Sequence, residues 1–205
     1  ADIFNRDGDA HLGVASKIYN KAEDQVSKSE RTFTKTINFG LIYGMGPKEL
    51  GVELSIPEPD ARVLMDRYLG TMKGVKKFIT DSEKFLKEHG FTETFFGRRR
   101  YISKVYSGDK LDKWAAAREG MNHRVQGTNA DMIKIAMSKI YQEFNRLGLK
   151  SKIVLQVHDE LVIDTHPDEL EIVKKTVVEL MENVVKFVVP LKVGAEYGDS
   201  WLDAH

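Results

Sequence analysis

Four residues spaced four apart most constrain how this chain can fold: Arg31, Lys35, Phe39 and Tyr43, in the segment RTFTKTINFGLIYG. On an α-helix, residues at i+4 lie along one slowly drifting face, because four steps of 100° exceed a full turn by about 40°. The spacing therefore predicts a helix that carries two cations and then two aromatic rings along one face. Gly40 interrupts this helix, at a cost of roughly 0.5–1 kcal/mol relative to alanine.

The residue types on this face suit a nucleoside triphosphate. Guanidinium and ammonium groups bind phosphates, and a neighbouring aromatic ring suits a sugar and base. The glycine indicates that another group approaches the backbone closely. A surface helix with one packed and one charged face is the alternative, and from spacing alone it is the more common explanation.

The composition is that of a globular protein with a core of its own. Of the 205 residues, 41% are hydrophobic and 30% charged, which fits one large or two small domains. There is no cysteine, which excludes disulfides and thiolate metal sites. No stretch approaches the ~20 apolar residues of a membrane span, and the segment ADIFNRDGDA lacks the pattern of a signal peptide. We therefore expect a soluble, cytoplasmic protein with no membrane partner.

A net charge of zero hides a separation of charge along the chain. Residues 71–104 carry nine Lys/Arg against four Asp/Glu, whereas residues 159–205 carry four against eleven. A basic segment can follow a phosphate backbone while an acidic one holds metal ions. Scattered, solvated charge is the alternative, and the counts alone slightly favour it.

Helical patterns dominate up to about residue 147. We expect Ser29 to cap the helix that carries the four-residue face, and the segment from Gly44 to Pro47 to end it. Further helices are predicted over about 60–69, 71–89 and 111–146, with an extended basic segment over 91–104.

The pattern changes at residue 151. The β-branched runs IVLQV and LVID predict a hairpin, followed by a helix over about 168–186 and a last strand, PLKVGAEY, over 190–197. The link within the hairpin is too short for a parallel crossover, so its sheet is antiparallel. The fold class is therefore α+β.

Two carboxylates, Asp159 and Glu160, follow His158 at the tip of the predicted hairpin, where Asn-Gly or Asp-Gly would be the usual turn. Carboxylate oxygens suit Mg²⁺, which typically takes one or two of them together with substrate phosphates. A merely polar turn explains the tripeptide as well, and on its own it is the more common case.

Several of these segments resemble those of one family. The run Arg-x-x-x-Lys-x-x-x-Phe-Gly-x-x-Tyr-Gly resembles the nucleotide-binding fingers helix of family A DNA polymerases, the bacterial DNA polymerase I type, and LQVHDELVID is similar to their palm signature. The segments Asp9-Ala10-His11, FGRRRYI, MNHRVQGTNAD and GDSWLDAH also resemble family segments in the same chain order, the last being the family's usual carboxy-terminal ending. The resemblance implies the end of the first palm segment in 1–20, helical fingers in 21–118 and the carboxy-terminal palm, with an antiparallel sheet, in 119–205.

The resemblance also implies an activity: template-directed addition of deoxynucleotides from dNTPs to a primer 3′ end, with two Mg²⁺ ions clamping the attacking and leaving oxygens. Asp159 would bind metal, with Glu160 and Lys35 also assisting catalysis. The nucleotide would contact His11, Arg31, Lys35, Phe39 and Tyr43.

The same resemblance implies contacts to primer-template DNA. They would come from His158 near the primer terminus and from Arg118, Asn122 and Gln126 in the minor groove, where such contacts check pair shape. Arg98, Arg99 and Arg100 would touch the template backbone or, equally well, brace the fingers. Arg124 stands where the family usually has proline and adds a further candidate phosphate contact.

One family motif, Asp-Tyr-Ser-x-x-Glu-Leu-Arg of the first palm strand, has no counterpart in these residues. With it are missing the other metal-bridging aspartate and the thumb. We therefore expect one part of a split or cleaved polymerase, inactive until a second polypeptide supplies the first palm strand, the thumb and the aspartate that completes the two-metal site.

Two alternatives remain. A metal-dependent phosphohydrolase would also use a His-Asp pair, but no His-x-x-x-His pattern accompanies it among His11, His89, His123, His158, His166 and His205. A non-catalytic nucleotide- or DNA-binding subunit is the second alternative, although such a subunit would have no need of Asp159.

Overall fold

The computed structural model describes residues 9–204, which form an α+β fold of helices and two small antiparallel sheets. Part of the predicted domain 1–20, as well as His205, lies outside these residues. By its internal contacts the chain divides after Gly127 into an amino-terminal unit and a carboxy-terminal unit that begins at Thr128. No helix within residues 9–204 is long and apolar enough to cross a membrane.

The amino-terminal unit is mainly helical. Its helices are α1 (Ala10–Tyr19), α2 (Lys28–Ile42), α3 (Pro47–Leu54), α4 (Glu58–Thr71), α5 (Lys73–His89) and α6 (Lys110–Asn122). Apolar side chains from α1 to α4 form one core, which contains Val14, Ile37, Leu50 and Tyr68. A second, smaller cluster joins α5 and α6 through Leu86 and Ala116.

The residue that caps helix α2 is Ser27, and the helix begins at Lys28. The prediction that Ser29 is the cap is therefore wrong. The Ser27 hydroxyl accepts a hydrogen bond from the backbone N–H of Glu30, and the Glu30 carboxylate accepts one from the backbone N–H of Ser27. This capping box satisfies two amide groups that a helix terminus otherwise leaves open. Ser29 has no glutamate three residues later, so Ser27 is the better cap.

The basic segment after α5 forms the predicted extended excursion. Gly90 ends α5 in the left-handed conformation, and β1 (Phe91–Glu93) pairs antiparallel with β2 (Arg99–Tyr101). A 3₁₀ turn over Ser103–Tyr106 leads into α6. After α6 the chain makes a π-helical turn over His123–Gly127, a form that is rare and often found at functional sites.

The carboxy-terminal unit contains α7 (Thr128–Leu147), the hairpin β3 (Lys152–Val157) and β4 (Glu160–Asp164), and α8 (Leu170–Glu182). The strands are antiparallel, with Val157 opposite Glu160, which leaves His158 and Asp159 as the two-residue turn. Ile140 and Phe144 of α7 pack with Val173 and Val177 of α8 to form the core of this unit.

The prediction of a last strand over 190–197 is wrong for this structure. The segment carries no strand, and its Val193 N–H donates instead to a side-chain oxygen of Glu182. A strand requires a neighbouring strand to complete its hydrogen bonds, and an apolar sequence pattern does not reveal whether that neighbour is present.

Candidate functional site

The face predicted on α2 points outward because the opposite face of the helix is buried. Thr34, Ile37 and Leu41 are at most 6% exposed and anchor α2 to the core. Arg31 and Lys35 are exposed, and the Phe39 ring is 49% exposed. Large apolar side chains normally lie inside, so an exposed phenylalanine beside two cations is consistent with a ligand-binding face.

Gly40 is buried on α2, and the group that approaches it is the side chain of Met45. A Cβ at position 40 would lie 2.7 Å from the Met45 sulfur. The glycine therefore reflects packing within the chain, and the exposed side chains of the face are those at positions 31, 35, 39 and 43.

Asp9 links α1 to this face. One of its carboxylate oxygens caps α1 by accepting from the backbone N–H groups of His11 and Leu12, at 2.9 and 3.0 Å. The other oxygen accepts from Arg31, at 2.8 Å from Nε and 2.6 Å from Nη2. The hydrogen bond from the Leu12 backbone, together with the Arg31 guanidinium, lowers the pKa of Asp9.

His11 adjoins the same face from α1. Its Nδ1 lies 3.0 Å from the amide nitrogen of Asn38, and its ring lies 5.6 Å from the Phe39 ring, centroid to centroid. His11 and Phe39 are therefore neighbours although they come from different helices. Four of the five residues predicted to bind nucleotide, His11, Arg31, Lys35 and Phe39, thus lie on two adjoining helices.

Lys35 differs from Arg31 in having no fixed partner. Within residues 9–204 its ammonium group makes no hydrogen bond or ion pair. An uncompensated cation between a paired arginine and an aromatic ring is suited to attract an anion.

Tyr43, the fifth predicted nucleotide contact, follows the last residue of α2 and is held by two residues that were predicted to contact DNA. The Arg118 Nε donates to the Tyr43 carbonyl, and the Gln126 amide donates to the Tyr43 hydroxyl, both at 2.8 Å. Gly44 adopts a positive φ of 71°, which lets Arg118 pass close to the backbone there. Tyr43, Arg118 and Gln126 therefore form one hydrogen-bonded group.

Asn122 lies beside this group at the end of α6. Its side-chain oxygen is buried and has no hydrogen-bond partner among the described residues. Such an oxygen costs roughly 1–3 kcal/mol when left unbonded. A cleft of about 360 Å³ passes this residue, and it is lined by Tyr43, Arg100, Ala115, Arg118, Glu119 and Asn122.

The three arginines of the basic hairpin all make bonds within the amino-terminal unit. Arg98 donates to the Gly127 carbonyl at 3.0 Å, Arg99 pairs with Glu93 at 2.7 Å, and Arg100 pairs with Glu119 at 2.6 Å. The side chains of Arg99 and Arg100 remain more than half exposed. They therefore brace the hairpin and still offer charge to an outside partner.

Arg124 also binds within its unit. Its Nη1 donates to the Ser82 hydroxyl at 2.9 Å, and its guanidinium lies 5.2 Å from the centre of the Phe78 ring. The arginine that replaces the family's usual proline thus fastens the π-helical turn to α5.

The predicted metal-binding tip lies in the carboxy-terminal unit. His158 has a φ of 52°, a left-handed conformation that costs a residue with a Cβ roughly 1–2 kcal/mol, and strain of this kind clusters at functional sites. The Gln156 amide stabilises the turn by donating to the His158 carbonyl at 2.6 Å. Asp159 and Glu160 are both exposed beside it.

The fit of a magnesium ion to this tip depends on its donor set. Two exposed carboxylates match the one or two that Mg²⁺ takes from protein when phosphates supply further oxygens. Among residues 9–204, no three Asp, Glu or His side chains are grouped closely enough to hold a metal. The tip alone therefore offers part of a coordination shell.

Two side chains that hold these candidate residues in place, Asn38 and Gln156, were not predicted from the sequence. Asn38 lies one position before Phe39, off the four-residue spacing, and only its place seven residues after Arg31 could have put it near that face. Gln156 looked like an ordinary strand residue, and nothing in the sequence indicated that it bonds to the turn.

Comparison with known proteins identifies the class to which this chain is similar, the DNA polymerases. The family described as DNA polymerase family A matches residues 1–203. The chain belongs to DNA polymerase family A.

Individual relatives agree. DNA polymerase I of Borreliella burgdorferi is 37% identical over 98% of this chain, that of Bacillus subtilis 37% over 99%, and the thermostable enzyme of Thermus aquaticus 36% over 98%. The chain spans only 22%, 23% and 24% of these relatives. Among solved structures, the POL domain of Pol1 from M. smegmatis, in complex with DNA primer-template and dNTP, matches 99% of this chain and 36% of its own, with a TM-score of 0.93 and 35% identity.

Proposed function

We propose that these residues form the fingers and part of the palm of a DNA-directed DNA polymerase, which transfers deoxynucleoside monophosphates from dNTPs to a primer 3′ end. The observation that carries the proposal is the grouping of His11, Arg31, Lys35 and Phe39 on α1 and α2. It is supported by the similarity to a polymerase domain bound to primer-template and dNTP.

The face formed by Arg31, Lys35, Phe39 and Tyr43, called the nucleotide face, offers a group that suits each part of a nucleoside triphosphate. Arg31 is oriented by Asp9, and Lys35 is free to follow the phosphates. Phe39 offers an exposed ring for the sugar, and the Tyr43 ring, 42% exposed, offers one for stacking near the templating base. His11 adds a ring nitrogen beside Phe39.

Asp159 carries the catalytic role in this proposal. Mg²⁺, when bound, neutralises charge on the attacking and leaving oxygens of an in-line displacement at the α-phosphate. Asp159 holds its carboxylate exposed at the strained turn, Glu160 adds a second, and His158 lies beside the primer terminus. Lys35 stabilises the negative charge that the leaving pyrophosphate carries.

The DNA contacts come from residues already fixed by the fold. Arg118, Asn122 and Gln126 would meet the minor groove of the nascent pair, where the acceptors are shared by all Watson–Crick pairs. Arg98, Arg99 and Arg100 would approach the template backbone. The subdomains proposed are the end of the first palm segment in 1–20, the fingers in 21–118 and the palm in 119–205.

The second metal-bridging aspartate is absent from these 205 residues, which contain no Asp-Tyr-Ser segment. We propose that residues outside these 205 supply it, together with the first palm strand and the thumb, and that in a split or cleaved polymerase these would lie on a second polypeptide. Without those residues the 205 residues would be inactive, because the two carboxylates of the hairpin tip provide only part of a coordination shell.

The test begins with the polypeptides that co-purify with the chain under native conditions, identified by intact mass. That preparation is assayed for Mg²⁺-dependent primer extension with the native chain, with Asp159→Asn and with Asp168→Asn, a control whose carboxylate is 90% exposed. We expect Asp159→Asn to reduce extension by on the order of 10³-fold, the scale of losing a principal electrostatic contribution, and the control to be unaffected.

Three other results would change the proposal. Extension by the 205-residue chain alone would refute the need for a second polypeptide. Binding of DNA and dNTP without turnover, unaffected by Asp159→Asn, would favour a non-catalytic binding subunit. Release of phosphate from a phosphomonoester without primer extension would favour a phosphohydrolase.

A further inference from the structure

Asn38 is a half-buried amide on α2, and its place seven residues after Arg31 puts it beside the face formed by Arg31, Lys35 and Phe39. Its side-chain nitrogen lies 3.0 Å from Nδ1 of His11 on α1. Asparagine inside a helix has a lower helix propensity than alanine or leucine. Asn38 therefore does not serve to stabilise the helix. We infer that its role is the contact with His11.

The chemistry of the contact determines where the ring proton lies. An amide nitrogen only donates hydrogen bonds, so Nδ1 of His11 accepts. A neutral imidazole has one N–H, so with Nδ1 accepting, the proton is on Nε2. His11 then presents a donor at its far edge.

The backbone of His11 is fixed as well. Its N–H donates to the capping carboxylate of Asp9, which also holds Arg31. The imidazole ring therefore has its main chain fixed by Asp9, its Nδ1 engaged by Asn38 and one side against the Phe39 ring. Among residues 9–204, Nε2 of His11 has no hydrogen-bond partner.

We propose that Asn38 is a positioning residue, which holds His11 with its proton on Nε2 so that Nε2 donates to the triphosphate of the incoming nucleotide. This rests on the nucleotide-binding part of the proposed function. The opposite tautomer would turn a lone pair toward a phosphate oxygen and repel it. Asn38 thus makes a neutral histidine behave as a reliable donor toward an anion.

The first measurement is spectroscopic and needs no turnover. Long-range ¹H–¹⁵N correlation spectra of the 205-residue chain distinguish a protonated ring nitrogen from an unprotonated one, and His11→Gln identifies the His11 signals. The spectra are taken at alkaline pH, so that the ring carries a single N–H and the tautomer can be read. We expect Nε2 to carry the proton in the native chain.

Two substitutions should change this signature in different directions. In Asn38→Leu nothing donates to Nδ1, so we expect a mixture of tautomers. In Asn38→Asp the carboxylate only accepts, so we expect the proton to move to Nδ1. Asn145→Asp, an exposed residue of α7, adds the same charge and should leave the His11 signals unchanged. If the leucine variant fails to fold, Asn38→Asp still shows whether the side chain at position 38 determines which nitrogen of His11 carries the proton. Aspartate is nearly the same size as asparagine.

The second measurement is the affinity for inorganic tripolyphosphate by calorimetry. We expect Asn38→Leu to weaken binding about fivefold, the scale of one hydrogen bond, and to have little further effect in a His11→Gln background. That non-additivity distinguishes positioning through His11 from a direct or merely structural contribution.

Either of two results would overturn the proposal. A proton on Nδ1 of His11 in the native chain would show that Asn38 accepts and does not donate. Equal losses from Asn38→Leu with and without His11 would show that Asn38 acts independently. Because neither readout involves DNA synthesis, a failure of primer extension leaves both outcomes interpretable.

Discussion

Arg31 directs Nε and Nη2 at a single carboxylate oxygen of Asp9, at 2.8 and 2.6 Å, while the other oxygen caps α1. One side chain therefore orients both a helix terminus and the guanidinium on the neighbouring helix. The arginine is held in place before any ligand arrives, because the two helices share this carboxylate.

Substitutions at Asp9 should separate the cap from the ion pair. Asp9→Asn keeps a good capping residue and loses only the charge, so we expect it to lower the free energy of unfolding by at most about 1 kcal/mol, since the partners are 35% and 45% exposed. Asp9→Ala also loses the cap and should cost about 1 kcal/mol more. Urea unfolding measures both. Equal losses in the two variants would show that the cap contributes little.

Glu169 should make the carboxy-terminal unit acid-sensitive. It accepts hydrogen bonds from the backbone N–H groups of Lys150 and Ser151 and from the Ser151 hydroxyl, which lower its pKa to about 2. A depressed pKa stabilises the fold above the unfolded value of about 4.3, and this contribution is lost as the pH falls toward 2.

Thermal melts across this pH window should therefore show a smaller pH dependence in Glu169→Gln than in the native chain. Glu171→Gln removes the same charge from an exposed position on α8 and should follow the native curve. A native-like slope in Glu169→Gln would show that other carboxylates cause the acid sensitivity.

Gly44 should tolerate no side chain. Its φ of 71° disfavours residues with a Cβ, and a Cβ there would overlap Cγ of Arg118. We expect Gly44→Ala to cost at least roughly 1–2 kcal/mol in unfolding free energy and to displace Arg118 from the Tyr43 carbonyl. The control is Gly70→Ala in α4, where nothing lies within 4 Å and alanine should stabilise the helix by up to about 1 kcal/mol. A neutral Gly44→Ala would contradict the close approach.

Arg124 should stabilise the amino-terminal unit through Ser82 and Phe78. Removal of one charge-assisted hydrogen bond and a cation–π contact predicts a loss of about 2 kcal/mol for Arg124→Ala in urea unfolding. Lys76→Ala, an exposed cation on α5, should change stability by no more than about 0.5 kcal/mol. Similar effects for the two variants would mean that Arg124 contributes only as surface charge.

Local signals predicted most of the fold. Glycine marked the ends of α5 and α7, and the β-branched runs around His158 marked the hairpin. The capping error arose because two serines lie two residues apart, and the pairing of Ser27 with Glu30 separates them. The missing strand over 190–197 depends on a partner strand, which no local pattern encodes.

The sequence predicted only part of how these side chains are arranged. Regular spacing indicated Arg31, Lys35 and Phe39, because a helix turns spacing into a shared face. The contacts that orient the site come from Asp9 and Asn38, which bridge α1 and α2. These contacts between helices depend on how α1 and α2 pack together. The sequence alone does not predict them, because aspartate and asparagine are common in many other positions.

The side chain of Lys35 differs from those of Arg31 and His11 in how much conformational entropy it keeps after folding. Arg31 and His11 are restrained by Asp9 and Asn38 and gave up much of their rotamer freedom on folding, whereas the Lys35 side chain makes no polar contact within residues 9–204 and gives up its freedom only when it meets an anion. That late ordering amounts to roughly 1.5–2 kcal/mol of side-chain entropy. In the proposed function, recognition of a phosphate would therefore be divided between Arg31 and His11, which are held in place, and Lys35, which would order only on binding.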